Sequence, residues 1–352
     1  MGRPAARTAA TGADKLYRED FIMPPIVRYL ETDSTDPYYN LAFEEYVLLN
    51  RTEGDYLLLW QNDNTVVIGR HQNAEEEINR AFVEAKRINV VRRTTGGGAV
   101  YHDLGNLNYS FITDLADSER LTMAAFTLPI VRALAEMGVA AECTGRNDIT
   151  VGGRKISGNA QRIHKNRILH HGTLLFDSNP GMVADALKVD PTKFQSKSAK
   201  SVRGRIANIR EFLAEDADMA GFKRNLIQSL TRGGMLREML SAGERAQVST
   251  LCEEKYRTWG WNFGSSPQYD RANRVRFEGG ALEARLSVSE GKILSAAFYG
   301  DFMARRGVAD IAQALIGCPF RREEVSALLD RFALGDYFGG ITKTEILEVL
   351  FY

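Results

Sequence analysis

The chain has 352 residues, with 45 Lys and Arg balancing 45 Asp and Glu to a formal charge of zero. That length exceeds one typical domain, so two domains with sizeable cores are expected, and the balanced charge argues against a general nucleic-acid binder. Three cysteines without paired spacing and the lack of an apolar run of bilayer-spanning length argue against a disulfide scaffold and a membrane protein, and fit a reducing, cytoplasmic setting.

Met1–Asp20 is rich in Ala, Thr, Gly and Arg, has no apolar signal core and runs into Met23-Pro24-Pro25. Residues 1–24 read as a disordered extension, with Met23 as an alternative start; an organellar transit segment is the other reading, weakened by Asp14, Glu19 and Asp20. Tyr38–Asn50 and Glu75–Arg87 have the spacing of amphipathic helices. Between them, Asp55–Gln61 and Thr65–Gly69 read as buried strands joined by an Asn-Asp-Asn turn, and Gly69 at the second strand's end leaves room for a close approach.

Next comes R-R-T-T-G-G-G-A-V-Y-H-D, from Arg92 to Asp103. Ile88–Arg92 and Gly98–Tyr101 read as short strands, so the three glycines form an ordered strand-loop-strand element. Gly96, Gly97 and Gly98 can take positive φ and turn successive N–H groups toward an anion, and Arg92 or Arg93 can add a planar charged fork. A plain tight turn is the competing reading. The run fits neither the phosphate loop nor the dinucleotide fingerprint.

Asn108–Thr113 follows as a strand and Thr122–Met137 as a helix, and Cys143 ends the apolar run Val139–Glu142 as a buried small hydrophobe. Asn147 and Asp148 suit either a turn or a hard-oxygen position for Mg²⁺ on a nucleotide phosphate. Ile149–Val151 and Arg154–Ser157 flank Gly152-Gly153, a two-residue connection that favours a primed hairpin turn and fixes Lys155 on a short strand. A solvated hairpin lysine is the alternative. Ser157–Asp177 reads as a second hairpin turning at Lys165-Asn166. His71 and His164 are expected at the surface or behind the site. His102 and the His170-His171 pair suit a site wall or packing better than zinc, because adjacent strand residues face opposite ways.

Ser196–Arg210 is a polar, basic connection that reads either as a loop able to close over a ligand or as a solvated linker. The composition shifts at Trp259–Ser266, which sets a boundary between a unit over residues 25–264 and a smaller one over 268–352. The latter begins with strands Arg274–Glu278, Ala281–Glu290 and Lys292–Tyr299 and continues with helices Gly307–Gly317, Arg322–Phe332 and Ile341–Leu350. The whole is an α+β protein built on a mixed sheet.

The glycine run, G-R-N-D (Gly145–Asp148), G-R-K-I-S-G-N-A (Gly153–Ala160), H-H-G-T-L-L (His170–Leu175), S-V-R-G-R-I-A-N-I (Ser201–Ile209), W-G-W-N-F-G (Trp259–Gly264), G-D-F (Gly300–Phe302) and D-Y-F-G (Asp336–Gly339) stand in one order. In that order and spacing the chain resembles the lipoate-protein ligase A family from about Pro25 onward.

The resemblance implies a catalytic domain of the biotin/lipoate ligase type with a smaller α+β accessory domain. It implies ATP and Mg²⁺, a lipoyl-AMP intermediate, and transfer to a lysine of lipoyl domains of 2-oxoacid dehydrogenase complexes or of the glycine-cleavage H protein, by a monomer. Lys155 would be the catalytic residue, contacting the lipoyl carbonyl and the phosphate of the mixed anhydride. ATP or lipoyl-AMP would meet Arg93, Gly96, Gly97, Gly98, Ala99, Val100, Tyr101, Asn147, Asp148 and Lys155. Lipoate would meet Lys155, Gly98, Gly69, Arg92, Gly158 and His171, with apolar side chains of the two early strands as its slot, and Asp148 would hold Mg²⁺. An ATP-independent octanoyl or lipoyl transferase is the alternative, but no cysteine stands just before His171-Gly172, where one class of those enzymes carries its nucleophile.

Overall fold

The computed structural model describes residues 26–72, 74–115, 122–144, 147–187, 202–213, 217–263 and 271–351. The N-terminal extension, Gly145, Arg146, the part of Ser196–Arg210 up to Ser201 and the boundary segment after Phe263 lie outside these residues.

Eleven strands fall in the first unit: β1 (Val27–Glu31), β2 (Tyr56–Trp60), β3 (Thr65–Ile68), β4 (Asn89–Arg92), β5 (Val100–His102), β6 (Asn106–Asp114), β7 (Glu142–Thr144), β8 (Asp148–Val151), β9 (Arg154–His164), β10 (Arg167–Leu175) and β11 (Met235–Arg237). Eight of them form one sheet in the order β11-β1-β2-β6-β10-β9-β8-β7. The β1 pairings with β11 and β2 are parallel and the rest antiparallel, so the sheet is mixed.

Every residue of β2 is buried because both faces of the sheet are covered. Leu57 and Leu59 join Phe111, Ile168 and Phe126 beneath helices Met123–Glu136 and Met219–Leu230. Leu58 and Trp60 join Ile112, Leu169 and helix Pro37–Asn50 on the other face. That alternation is the period of a strand. Helix Pro37–Asn50 starts where Asp36 accepts from the Tyr38 N–H and Pro37 presets φ. It is buried continuously from Asn40 to Leu48 rather than amphipathic, because helix Ala242–Leu251 covers its outer side.

A second, three-stranded sheet, β4-β3-β5, packs over that helix. The apolar strand β3 therefore leaves β2 and enters a different sheet. Glu75–Arg87 is not one helix but two short ones, Ala74–Glu77 and Arg80–Ala85. Ile78 breaks away to bridge Leu187, and Asn79 caps the second helix.

The C-terminal unit is the meander β12 (Arg271–Phe277), β13 (Gly280–Ser289) and β14 (Lys292–Gly300), with helices Ala309–Leu315, Arg322–Leu329, Leu334–Phe338 and Lys343–Phe351. Its core, including Leu282, Phe298, Ile311, Leu329 and Phe338, is separate from the others. It meets the first unit through the turn after β14. The Gly97 N–H donates to Phe302 O at 3.1 Å, the Gly300 N–H to His71 O at 2.8 Å and the Ile163 N–H to Arg305 O at 2.9 Å.

Candidate active site

The glycine loop joins β4 to β5 and is built from within. Arg93 is 7% exposed and donates from Nη2 to Gly96 O (2.7 Å) and Gly98 O (2.8 Å), and from Nε to Thr95 Oγ1 (3.0 Å). Arg92 donates to Gly69 O, Arg70 O and Gln72 O from Nη1, to Asn262 O from Nη2 and to Trp261 O from Nε. Burial pushes both guanidinium groups down to about 10, still charged at neutral pH. The expectation of a fork free to hold an anion is corrected for both: their N–H groups are spent on main-chain carbonyls.

The glycines are also explained differently from one another. Only Gly97 takes a positive φ, 89°. A Cβ on Gly96 would stand 2.8 Å from Phe302 O and Ala304 N, so the accessory unit is what requires glycine there. Gly69 is small because a Cβ would sit 1.9 Å from Gly97 O; the loop lies over it, which corrects its reading as an opening for lipoate. The β2 and β3 side chains offered as the slot are buried, Trp60 at 3% and Ile68 at 0% exposure. Ala99 and Val100 lead into β5, where Tyr101 donates to Asn64.

The β8–β9 hairpin turns at Gly152 (φ 55°) and Gly153 (φ 73°), the two positive φ values of a primed turn. The pairing shifts register beyond Ile149, so that Asp148 faces Gly158 while Thr150 faces Lys155. Without that bulge, Lys155 and Gly158, three residues apart, would point to opposite faces. With it, the Lys155 amine folds over Gly158 and reaches Asp148 Oδ1 at 2.7 Å. A Cβ on Gly158 would lie 2.9 Å from that nitrogen. Lys155 and Asp148 side chains keep 36% and 35% of their exposure, so the pair is open to a ligand. The Ala207 N–H donates to Lys155 O at 2.9 Å, pinning the backbone from the described end of the basic connection.

Two links tie the hairpin to the glycine loop. Asn147 Nδ2 donates to Asn159 O (2.9 Å) and stands 3.7 Å from Met303 Sδ, which also borders Gly97. Further along the same face, His171 Nε2 lies 2.8 Å from Thr95 Oγ1 and His171 Nδ1 lies 2.9 Å from Glu44 Oε1. Ser110 donates to the same Glu44 oxygen, and Trp60 Nε1 to Ser110 Oγ. His171 is thus a buried strut behind the loop.

Other residues fall elsewhere than expected. Cys143 is exposed, on the edge strand β7, rather than buried. Of the two positions expected for His71, the surface one is excluded: it is buried, its ring stacked on Phe302 at 5.3 Å. Glu44 and Met303 stand in no quoted motif, and Asn159 and Asn262 lie inside quoted motifs without a role read for them; their parts emerge only through the contacts of the folded chain.

The arrangement offers one exposed ammonium–carboxylate pair, a backbone loop braced from behind by arginine and histidine, and a second unit pressed against that loop. Among the described residues no three His, Cys, Asp or Glu side chains assemble as a metal cluster, and no helix is long and apolar enough to cross a membrane.

Residues 36–231 match the lipoyl protein ligase A/B catalytic domain family, and residues 266–350 match the bacterial lipoate protein ligase C-terminus family. Lipoate–protein ligase 1 of Staphylococcus aureus is 43% identical over 318 residues, 90% of this chain and 97% of that protein. The structure of P. falciparum LipL1 in complex with lipoate superposes with a TM-score of 0.77 at 23% identity, covering 92% of this chain and 99% of its own, a likeness of fold. A lipoate-protein ligase A bound with ATP superposes with a TM-score of 0.59 at 27% identity, over 68% of this chain and 98% of its own. The chain belongs to the lipoate-protein ligase family.

Proposed function

We propose that this chain is an ATP-dependent, AMP-forming lipoate ligase whose catalytic residue is Lys155. In the first step a lipoate carboxylate oxygen attacks the α-phosphorus of ATP, the bond to the β-phosphate oxygen breaks, and lipoyl-AMP and pyrophosphate result. In the second, the amine of an acceptor lysine attacks the lipoyl carbonyl, AMP leaves and an amide forms with loss of a proton. The acceptor is a lipoyl domain of a 2-oxoacid dehydrogenase complex or the glycine-cleavage H protein.

The observation that carries this reading is the Lys155–Asp148 pair, held by a bulge and an adjacent glycine where both groups stay accessible. Both steps build negative charge on one small region, and a fixed ammonium lowers that cost without reorganising. No protein nucleophile is needed, so orientation and charge supply the catalysis. The ATP bound by the related ligase supports the choice of nucleotide. Mg²⁺ arriving on a triphosphate needs one or two carboxylates from the protein, and Asp148 fits as that ligand, where the ion would neutralise phosphate charge. Gly98 to Tyr101 and Asn147 are assigned to the adenylate side, and Gly158 to the acyl chain beside Lys155.

The test is pyrophosphate release from ATP and Mg²⁺ with lipoate present or omitted, followed by intact mass of an added apo lipoyl domain. Lipoate-dependent release and a lipoyl mass shift are expected, and Lys155→Ala lowers release by about 100-fold or more. Acyl transfer without ATP would replace this reading by a transferase, and full activity in Lys155→Ala would remove Lys155 from the mechanism.

A further inference from the structure

The anion fork that Arg92 and Arg93 do not provide exists elsewhere. A cleft of 340 Å³ opens at the seam of the two units, with Arg70, Arg162 and Lys165 from one side and Arg305 and Arg306 from the other. Asp310 is the only carboxylate among its lining residues. We propose that this cleft is a binding site for a small multivalent oxyanion of the diphosphate or triphosphate class, and that the anion fastens the accessory unit to the catalytic one.

Arg70 is the centre of the case. Its guanidinium makes no hydrogen bond or ion pair with the described residues; the Trp261 ring lies 5.6 Å from it, and Glu45 and Asp310 act on it as charges without pairing. Gly307 makes the room: a Cβ there would lie 3.2 Å from Arg70 Nη2. Burial, then the nearby Arg162 charge, pushes the Arg70 guanidinium down from its ordinary value, and Glu45, Tyr256 and Asp310 offset this only in part. Arg162 is itself only partly answered, because its partner Glu45 (2.8 Å) also serves Lys255 (2.6 Å) and the Tyr256 hydroxyl. Arg306 reaches Asp336 only at 3.4 Å. Arginine forks left with unspent N–H groups in a concave, half-buried place match phosphate oxygens bidentately.

Concavity selects the ligand class. Arg70 is part-buried in a concave seam, where a compact oxyanion can enter and meet cations from both walls. Such an anion would bridge Arg70 and Arg162 to Arg305 and Arg306, beside the Ile163 N–H to Arg305 O bond that already spans the seam. The site lies on the same face of the sheet as the Lys155–Asp148 pair, further along β9. Arg162 lies four residues beyond Gly158 on β9, about 13 Å at the rise of a strand. It does not depend on the reaction proposed above.

Calorimetric titration of the intact chain with inorganic pyrophosphate, and in parallel with ATP, tests this. Saturable binding is expected in the native chain and in Lys155→Ala, weakening as salt is raised. The pair Arg70→Gln with Arg305→Gln should bind roughly tenfold or more weakly, the scale of losing charge-assisted hydrogen bonds. Should that pair fold poorly, Lys165→Glu with Arg306→Glu, both exposed side chains, should weaken binding in the same direction. Tighter binding of pyrophosphate than ATP assigns a free diphosphate, and the reverse assigns a nucleotide tail. Saturation should also slow amide exchange at Ile163. Binding lost in Lys155→Ala but kept in both cleft variants, or no binding at millimolar pyrophosphate, overturns the site; unchanged exchange at Ile163 overturns the clamp.

Discussion

The two glycine-rich segments of the catalytic unit are glycine-rich for opposite reasons. At Gly152-Gly153 a Cβ would meet nothing within 4 Å, and both residues hold positive φ. There the turn itself demands glycine. In the Thr94–Gly98 loop, Gly96 has no positive φ and is hemmed in by Phe302 and Ala304 of the accessory unit, while Gly69 lies beneath the Gly97 carbonyl. Apart from Gly97, whose φ is 89°, the demand there comes from residues more than two hundred positions away or from the loop lying against the end of β3. A local glycine is a question of conformation, and a tertiary one is a question of space.

The sharpest way to break this comparison is Gly69→Ala. Its Cβ would stand 1.9 Å from a backbone oxygen that Arg93-braced neighbours hold in place, so the loop has to move. Overpacking of that kind costs about 3 kcal/mol. Urea denaturation should show a lower midpoint with unchanged slope, and a near-native midpoint would mean that the loop is soft.

His171 tests the loop from the opposite side. His171→Phe leaves Glu44 and Thr95 buried without their shared partner, and each orphaned polar group is expensive. A loss of about 2 kcal/mol is expected, less than at Gly69 because Ser110 still donates to Glu44. A change of similar size in Gly152→Ala would erase the distinction between the segments.

This difference also sets what the sequence could reveal. The Gly152-Gly153 hairpin, Lys155 on a strand, the Lys165 turn and the C-terminal meander were legible because each is written in adjacent residues. The bulge that turns Lys155 toward Asp148 was not, since a two-residue period cannot announce its own interruption. Arg92 and Arg93 looked like anion ligands because sequence shows charge but hides the carbonyls that use it. Arg70 and Arg162 give no signal in the sequence for the converse reason: the wall that makes their cleft comes from the accessory unit. Helix Pro37–Asn50 is legible in its extent but reads as amphipathic, as its outer cover, helix Ala242–Leu251, has no signal near it in the chain.

The seam between loop and accessory unit carries its own pH signature. Burial, together with the Arg70 and Arg92 charges, pushes the His71 imidazole down to about 3, so it stays neutral against Phe302. Its contribution is fully present above the unfolded value near 6.5 and is lost progressively as pH falls toward 3, because the unfolded chain takes up the proton first. The slope is about 1.4 kcal/mol per pH unit for this residue. His71→Phe should flatten the stability profile between pH 6 and about 4 by that amount. An unchanged profile would place the imidazole in contact with water.

The smallest effect belongs to the local glycine. Gly153→Ala adds a methyl group into open space, so the only cost is holding an L-residue at φ 73°, about 1 kcal/mol. Gly153→Asn should cost less still, because asparagine tolerates the left-handed region that alanine resists. The order Gly, Asn, Ala in melting temperature, with Lys155 still paired to Asp148, is what a turn-imposed requirement produces. A loss as large as that at Gly69, or an Asn variant no better than the Ala one, would mean that the hairpin is held by contacts after all, and that Lys155 is aimed by the surrounding fold and not by its own two glycines.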